Sequence, residues 1–212
     1  MRAMAEAEKQ HRERHAADDR REEILAAVRQ LAAEEGVGRL SISRITDRVG
    51  CTRSLFYHYF PNREAAIDAA LDGIIDGFVE RLAAWNAARV RGDIEGALDS
   101  VVALMRSLVL EDQGLPRSFS SGGTAALYTG FVHKVADRLA TYIVDSTVAD
   151  FARFHSVRID HVYETFYVLI TGLITFVRAH SDASDAVLKD IIASTLHIEG
   201  YTAKYADRRP AS

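Results

Sequence analysis

The chain has 212 residues, 48% hydrophobic and 26% charged, the composition of a globular protein long enough to bury a sizeable core. Its one cysteine, Cys51, cannot form an internal disulfide, no Cys/His cluster suggests zinc, and no run of 18 apolar residues suggests a membrane span, so a reducing, cytoplasmic setting is expected. The net charge of −4 is uneven: residues 20–64 hold eight arginines against six acids, while residues 65–212 hold 14 bases against 19 acids, so that only the N-terminal part is suited to a polyanion.

Residues 1–18, polar and mixed in charge, read as a flexible arm and not as a signal peptide. A first helix is expected from about Asp19 to Glu35, with Ile24, Leu25, Val28 and Leu31 on one face and Gly36 and Gly38 to stop it. Ser41 offers a hydroxyl cap to a short helix through about Val49, striped by Ile42, Ile45 and Val49. Gly50 supplies a tight turn with positive φ, and Thr52 caps a third helix, Arg53 to Tyr59. Pro61 and Asn62 break the chain before a long fourth helix, from Arg63 towards Val90, with Glu64 in its first turn. Short helix, glycine turn, short helix, with Ile45, Val49 and Leu55 facing inward, is the layout of a DNA-reading helix-turn-helix.

The remainder reads as helix throughout. Asp93 caps a fifth helix from Ile94 to about Leu110; the Arg91-Gly92-Asp93 turn carries no adhesion role in this setting. Glu111 to Thr124 is a loop or broken helix; its Ser121-Gly122-Gly123-Thr124 lacks the following Lys-Ser/Thr of a P-loop. Helices are expected over about Ala125 to Phe154, Arg158 to His180 and Asp185 to Tyr205. With three prolines and no sustained period-two alternation, the fold class is all-α, in about nine helices.

The stretch Leu40 to Ala66, LSISRITDRVGCTRSLFYHYFPNREAA, resembles the signature of TetR/AcrR-family transcriptional regulators. Gly50-Cys51-Thr52 stands for the Gly-Val-Ser turn, Phe56-Tyr57-His58-Tyr59-Phe60 for the aromatic ending, and Pro61-Asn62-Arg63-Glu64 for the start of helix four. Cys51 replaces the usual valine, Arg63 the usual lysine and Leu55 the commoner threonine; the first two substitutions keep an apolar turn residue and a cation.

The resemblance implies an N-terminal three-helix helix-turn-helix domain (19–64) and a C-terminal helical bundle (65–207) that binds an effector and dimerises, followed by a tail (208–212). It also implies roles for particular side chains. Ser43 and Arg44 reach DNA backbone or a base edge, and Thr52 offers its hydroxyl and N–H to a phosphate. Arg53, Ser54 and Leu55 face the major groove, Arg53 able to take guanine O6 and N7 together. Tyr57 meets a phosphate, His58 a phosphate or a base, and Arg63 clamps the backbone. Phe56 and Phe60 are core, and Tyr59 is either structural or a phosphate ligand. Arg12 and Arg14 of the arm either reach DNA or belong to a solvated leader.

By the same resemblance the chain is a regulator, in the default case a repressor, of a palindromic operator in double-stranded DNA. A partly apolar small-molecule effector would enter among helices five to eight, where Met105, Tyr128, Phe131, His133, Tyr163, Phe166 and Tyr167 are the candidate lining. The last two helices would pair with those of a second copy; Thr171, Gly172 and Thr175 within an apolar stretch suit close helix approach, and burial in one subunit's core is the alternative. Asp160, His161 and Glu164 share a helix face, better read as solvated than as a metal site, so no metal or cofactor is expected. An enzyme is not expected either, since the sequence has no nucleophile elbow, metal motif, dinucleotide fingerprint or paired catalytic carboxylates. The competing reading is an architectural or cell-cycle DNA-binding factor without an effector.

Overall fold

The computed structural model describes residues 2–111, 125–153 and 159–202, and every regular element among them is helical. The expected loop is therefore outside the described residues from 112 to 124, as are Phe154, Arg158 and the expected end of the last helix at Tyr205. The backbone forms two compact units, the first running to Ile74 and the second from Ile75 onward, with Ala125 and Ala126 grouped with the first.

In the first unit α1 spans Arg2–Glu35, so it starts well before the expected Asp19. Ala, Glu, Lys, Gln and Arg dominate residues 2–18 with no Gly or Pro, and such residues favour helix even without an apolar face. Gly36, at φ +89°, ends the helix, and a 3₁₀ turn (Val37–Arg39) brings Val37 and Leu40 into the core. α2 (Ile42–Val49) is capped by Ser41, whose hydroxyl accepts from Arg44 N at 3.3 Å. It ends at Gly50 in the left-handed region (φ +71°), and Cys51 N donates back to Thr46 O at 2.9 Å, closing a Schellman-type cap. Thr52 then caps α3 (Arg53–Tyr59) by accepting from Leu55 N at 3.2 Å. α4 (Arg63–Ala88) starts at Asn62, whose Oδ1 accepts from Ala65 N at 2.8 Å. α1 packs on α2 and α2 on α3 around Ile24, Val28, Leu31, Ile45, Phe56 and Ile67.

The second unit takes the remainder of α4 and then α5 (Ile94–Arg106), capped by Asp93, which accepts from Gly96 N at 2.9 Å. α5 widens into a π-helical turn, Ser107–Glu111. α6 (Ala125–Tyr142) likewise runs into a π-helical segment, Ile143–Val148, and ends in one α turn, α7 (Ala149–Phe151). α8 (Val162–Ala179) begins later than expected because His161 sits at φ +52°, which no helix residue adopts. α9 (Asp185–Thr195) is capped by Ser184 and stops about ten residues short of the expected Tyr205. His197 there takes the left-handed conformation usually given to glycine, with Ile198 N donating to Ala193 O at 2.9 Å and His197 N to Ser194 O at 3.3 Å. A second Schellman-type cap thus ends the helix at a residue no composition rule marks.

α9 packs on α5 and on α8, and Lys189 of α9 reaches Glu95 and, at 2.6 Å, Asp99 of α5. Among the described residues α8 is the one helix with the length and apolarity of a membrane-crossing segment, a test that bundle helices also pass. It carries Glu164 and Arg178 near its ends and packs on α9, as a bundle helix does.

Candidate functional site

α3 has two faces set by the helical period. Phe56 (0% exposed) and Phe60 point inward with ring centroids 5.7 Å apart, and the Arg21 guanidinium covers the Phe60 ring at 5.3 Å. Arg53, Ser54, Tyr57 (54% exposed) and His58 point to solvent, and Thr52 is exposed at the helix N-terminus. Leu55 and Tyr59 are half-buried at the edges of that face. An outward phenol flanked by a cation and a hydroxyl, beside free N–H groups at a helix start, can bind phosphates and base edges together.

Most of the surrounding cations have intramolecular partners. Arg53 donates to the Ser43 hydroxyl, joining the half-buried Ser43 of α2 to the outer face of α3. Arg44 is exposed but pairs with Glu35. Arg48, absent from the expected contacts, lies on the same exposed turn of α2 and holds both Glu34 oxygens, at 3.1 and 2.6 Å. That hydrogen-bonded pair holds the Glu34 carboxyl below the ordinary glutamate range. Arg63 is half-buried, its Nη1 donating to Leu40 O at 3.0 Å and its Nε to Glu64 at 3.0 Å. It ties the start of α4 to the segment before α2, a structural bond that contact with a phosphate would have to share. Cys51 is half-buried, and burial pushes its thiol up, away from a reactive thiolate.

The second unit encloses a cavity of about 230 Å³. Its walls come from α4 (Phe78, Leu82, Trp85), α5, α6, α8 (Phe166, Leu169, Ile170) and the end of α9. Both π-helical turns supply wall residues, Leu108 and Val109 from the first and Ile143, Thr147 and Val148 from the second; such turns are frequent at ligand sites.

Of the seven expected lining residues, Met105 and Phe166 are in this wall. Phe131 is core, packed edge-on against Phe78, and Tyr128 lies under the Arg178 guanidinium. His133, Tyr163 and Tyr167 gather instead in a separate, open cleft on α6 and α8, with Lys134, Asp137 and Glu164. There His133 Nδ1 and Tyr167 Oη lie 2.5 Å apart, and Tyr163 donates to Asp137 at 2.6 Å, a bond that pushes the Tyr163 phenol up to about 12. Among the described residues no three His, Cys, Asp or Glu side chains are grouped to hold a metal.

At the cavity's edge Trp85 and Phe151 flank the guanidinium of Arg89, whose carbon lies 5.7 and 4.6 Å from their ring centroids. The Arg89 side chain is 3% exposed; it donates to Asn86 Oδ1 at 2.8 Å and approaches Asp150 to 3.5 Å. Burial lowers its pKa and Asp150 opposes that shift.

A glycine turn followed by a capped helix with one sealed and one solvent-facing side, among described residues that are otherwise all helical, defines a helix-turn-helix motif. Residues 24–70 match the family model described as bacterial regulatory proteins, tetR family. Over that stretch the chain has the N-terminal domain of the tetR family.

Solved structures extend the likeness of fold along most of the chain. A TetR-family transcriptional regulator from Streptomyces coelicolor is 22% identical, over 84% of this chain and 98% of its own, with a TM-score of 0.61. SCO7518, a candidate regulator from Streptomyces coelicolor A3(2), is 24% identical over 84% and 98%, with a TM-score of 0.62. RolR (NCGL1110), solved in complex with its ligand resorcinol, is 20% identical over 93% and 97%, with a TM-score of 0.57. A search of curated proteins finds no match.

Proposed function

We propose that this protein is an effector-controlled repressor, present in the cytoplasm as a homodimer, that reads a near-palindromic operator with α3 of each copy. The observation that carries this reading is the division of α3: the aromatic pair Phe56 and Phe60 is buried, while Arg53, Ser54, Tyr57 and His58 are presented to solvent beside the Thr52 cap. Arg53 specifies a guanine once it leaves the Ser43 hydroxyl, a weak partner compared with the bidentate base contact. Thr52, Tyr57 and His58 position the helix on phosphates, with Ser43, Arg44 and Arg63 at the margin and Ser54 and Leu55 against base edges. On this reading residues 19–64 form the DNA-binding domain and 65–207 the effector and dimer domain, flanked by an arm (1–18) and a tail (208–212).

Dimerisation is supported by the outward faces of α8 and α9. Val168 (68% exposed), Gly172 and Thr175 form an exposed stripe on α8, and Val187 and Ile191 lie exposed one turn apart on α9. Two such helix pairs from two copies would make a four-helix interface. The cavity supports a small-molecule effector and speaks against an architectural factor, which has no use for an internal apolar void. RolR, which shares the fold, holds a small ligand. Ligand entry would act on Phe78, Leu82 and Trp85, wall residues that belong to α4, whose N-terminal turns lie in the first unit.

Selection of bound sequences from a random duplex library tests the proposal. It predicts a two-fold symmetric site with half-site centres about one helical turn apart or slightly more. Enrichment of a single asymmetric site, or no enrichment at low salt, would overturn it.

A further inference from the structure

The described wall of the cavity leaves nothing for a polar ligand to bind. Thr147 and Trp85 are its two side chains with hydrogen-bonding N or O atoms, and each is engaged within the protein. Thr147 Oγ1 donates to Asn86 Oδ1 at 3.2 Å, and Trp85 Nε1 donates to Ser100 Oγ at 2.9 Å. The other wall side chains are aliphatic, phenylalanine or methionine. The Arg89 charge beside the cavity is stacked against Trp85 and Phe151 and already has Asn86 and Asp150 as partners. An ionised group entering here would lose its hydration and gain no free partner among the described wall side chains, which is strongly unfavourable. An uncharged hydrocarbon skeleton would gain close contact with this apolar wall and cost it no hydrogen bond.

From this wall we infer that the effector is a neutral, hydrocarbon-rich molecule, an alkyl chain or fused-ring lipid ending in at most an uncharged ester, ketone or alcohol. A carboxylate or ammonium on the same skeleton is rejected. The inference rests on the reading of the cavity as the effector site, and it narrows that site to one chemical class.

Trp85 is the chain's one tryptophan and stands in the wall, so its fluorescence reports on occupancy directly. The full-length protein is titrated with 1-decanol, methyl decanoate, decanoate and decyltrimethylammonium, each below its micelle concentration, and with shorter homologues of the neutral pair. Saturable changes are expected with the alcohol and ester, tightening about three- to fourfold per added methylene, and binding weaker by at least about tenfold for the two ions. Val101→Phe, which puts a ring into the wall, should weaken the neutral ligands while circular dichroism shows the helices retained. If that variant does not fold, the homologous series on the native chain decides.

Decanoate binding as tightly as its methyl ester, a series indifferent to chain length, or no saturable change with any neutral homologue overturns the inference. Release from the selected operator is measured separately. A neutral ligand that saturates Trp85 but leaves DNA binding unchanged upholds the ligand class and overturns the effector role of the cavity.

Discussion

Arg53 and Arg63 look alike in sequence but differ in what they are bonded to. Arg53 rests on a hydroxyl, so Arg53→Ala should leave the fold intact and relax preference at one base pair, at a cost of about 1–3 kcal/mol in binding assays with operator variants. On the proposed reading Tyr57→Phe removes one phosphate hydrogen bond and should weaken every sequence equally, by about 0.5–1.5 kcal/mol. Arg63 is bonded to Leu40 O, so Arg63→Ala should lower the melting temperature as well as the affinity. In the open cleft, Tyr163 keeps its proton to about 12 because Asp137 accepts it. Its folded pKa lies above the ordinary tyrosine value, so its contribution to stability is full below pH 10 and fades as pH rises through 12. Phenolate absorbance should show a late-titrating tyrosine that Tyr163→Phe abolishes. The outward set on α3 was legible because burial alternates with the helical period. The cavity wall was not, because aliphatic side chains facing a void follow the same spacing as those facing a core. Of the expected lining residues Met105 and Phe166 face the void, while Tyr128, Phe131, His133, Tyr163 and Tyr167 lie elsewhere.

Helix starts in this chain are written in single side chains, while several of its ends are written in backbone conformation. Ser41, Thr52 and Asp93 each accept the expected capping bond, which is why those boundaries could be read in advance, and Ser184 caps α9 in the same way. Gly50 was legible as a stop, and nothing lies within 4 Å of where its Cβ would be. Gly50→Ala should therefore cost only backbone strain, about 1–2 kcal/mol in urea unfolding, and Gly50→Asn less. His197 performs the same task at the end of α9 without glycine's freedom, so His197→Gly should stabilise the protein by up to about 1 kcal/mol. No propensity scale flags a histidine as a helix stop, and the sequence pattern accordingly runs past the end of α9. The start of α1 was misplaced for the opposite reason: helix-forming residues extend it where no apolar stripe announces a helix.

For the molecule as a whole, the exposed apolar stripe on α8 and α9 is the feature that a single copy leaves unsatisfied. Val168→Glu should shift the protein from dimer to monomer in sedimentation velocity and abolish tight operator binding, with α3 unchanged. The all-helical class and the place of the reading head were legible from proline scarcity and the Leu40 to Ala66 motif. Where the chain divides depends on how far α4 packs with each unit, which periodicity does not reveal. The two π-helical turns have an evolutionary corollary. Each holds one residue more than an α turn, so deleting a single residue between Ile143 and Val148 would restore regular winding inside the turn and leave the helix after it facing as before. The part of the wall that the turn itself supplies, Ile143, Thr147 and Val148, would then change, while residues 24–70 kept their sequence and register. One-residue gains and losses at these two places are thus a short mutational route by which descendants of this gene could reshape the cavity and leave the helix-turn-helix untouched.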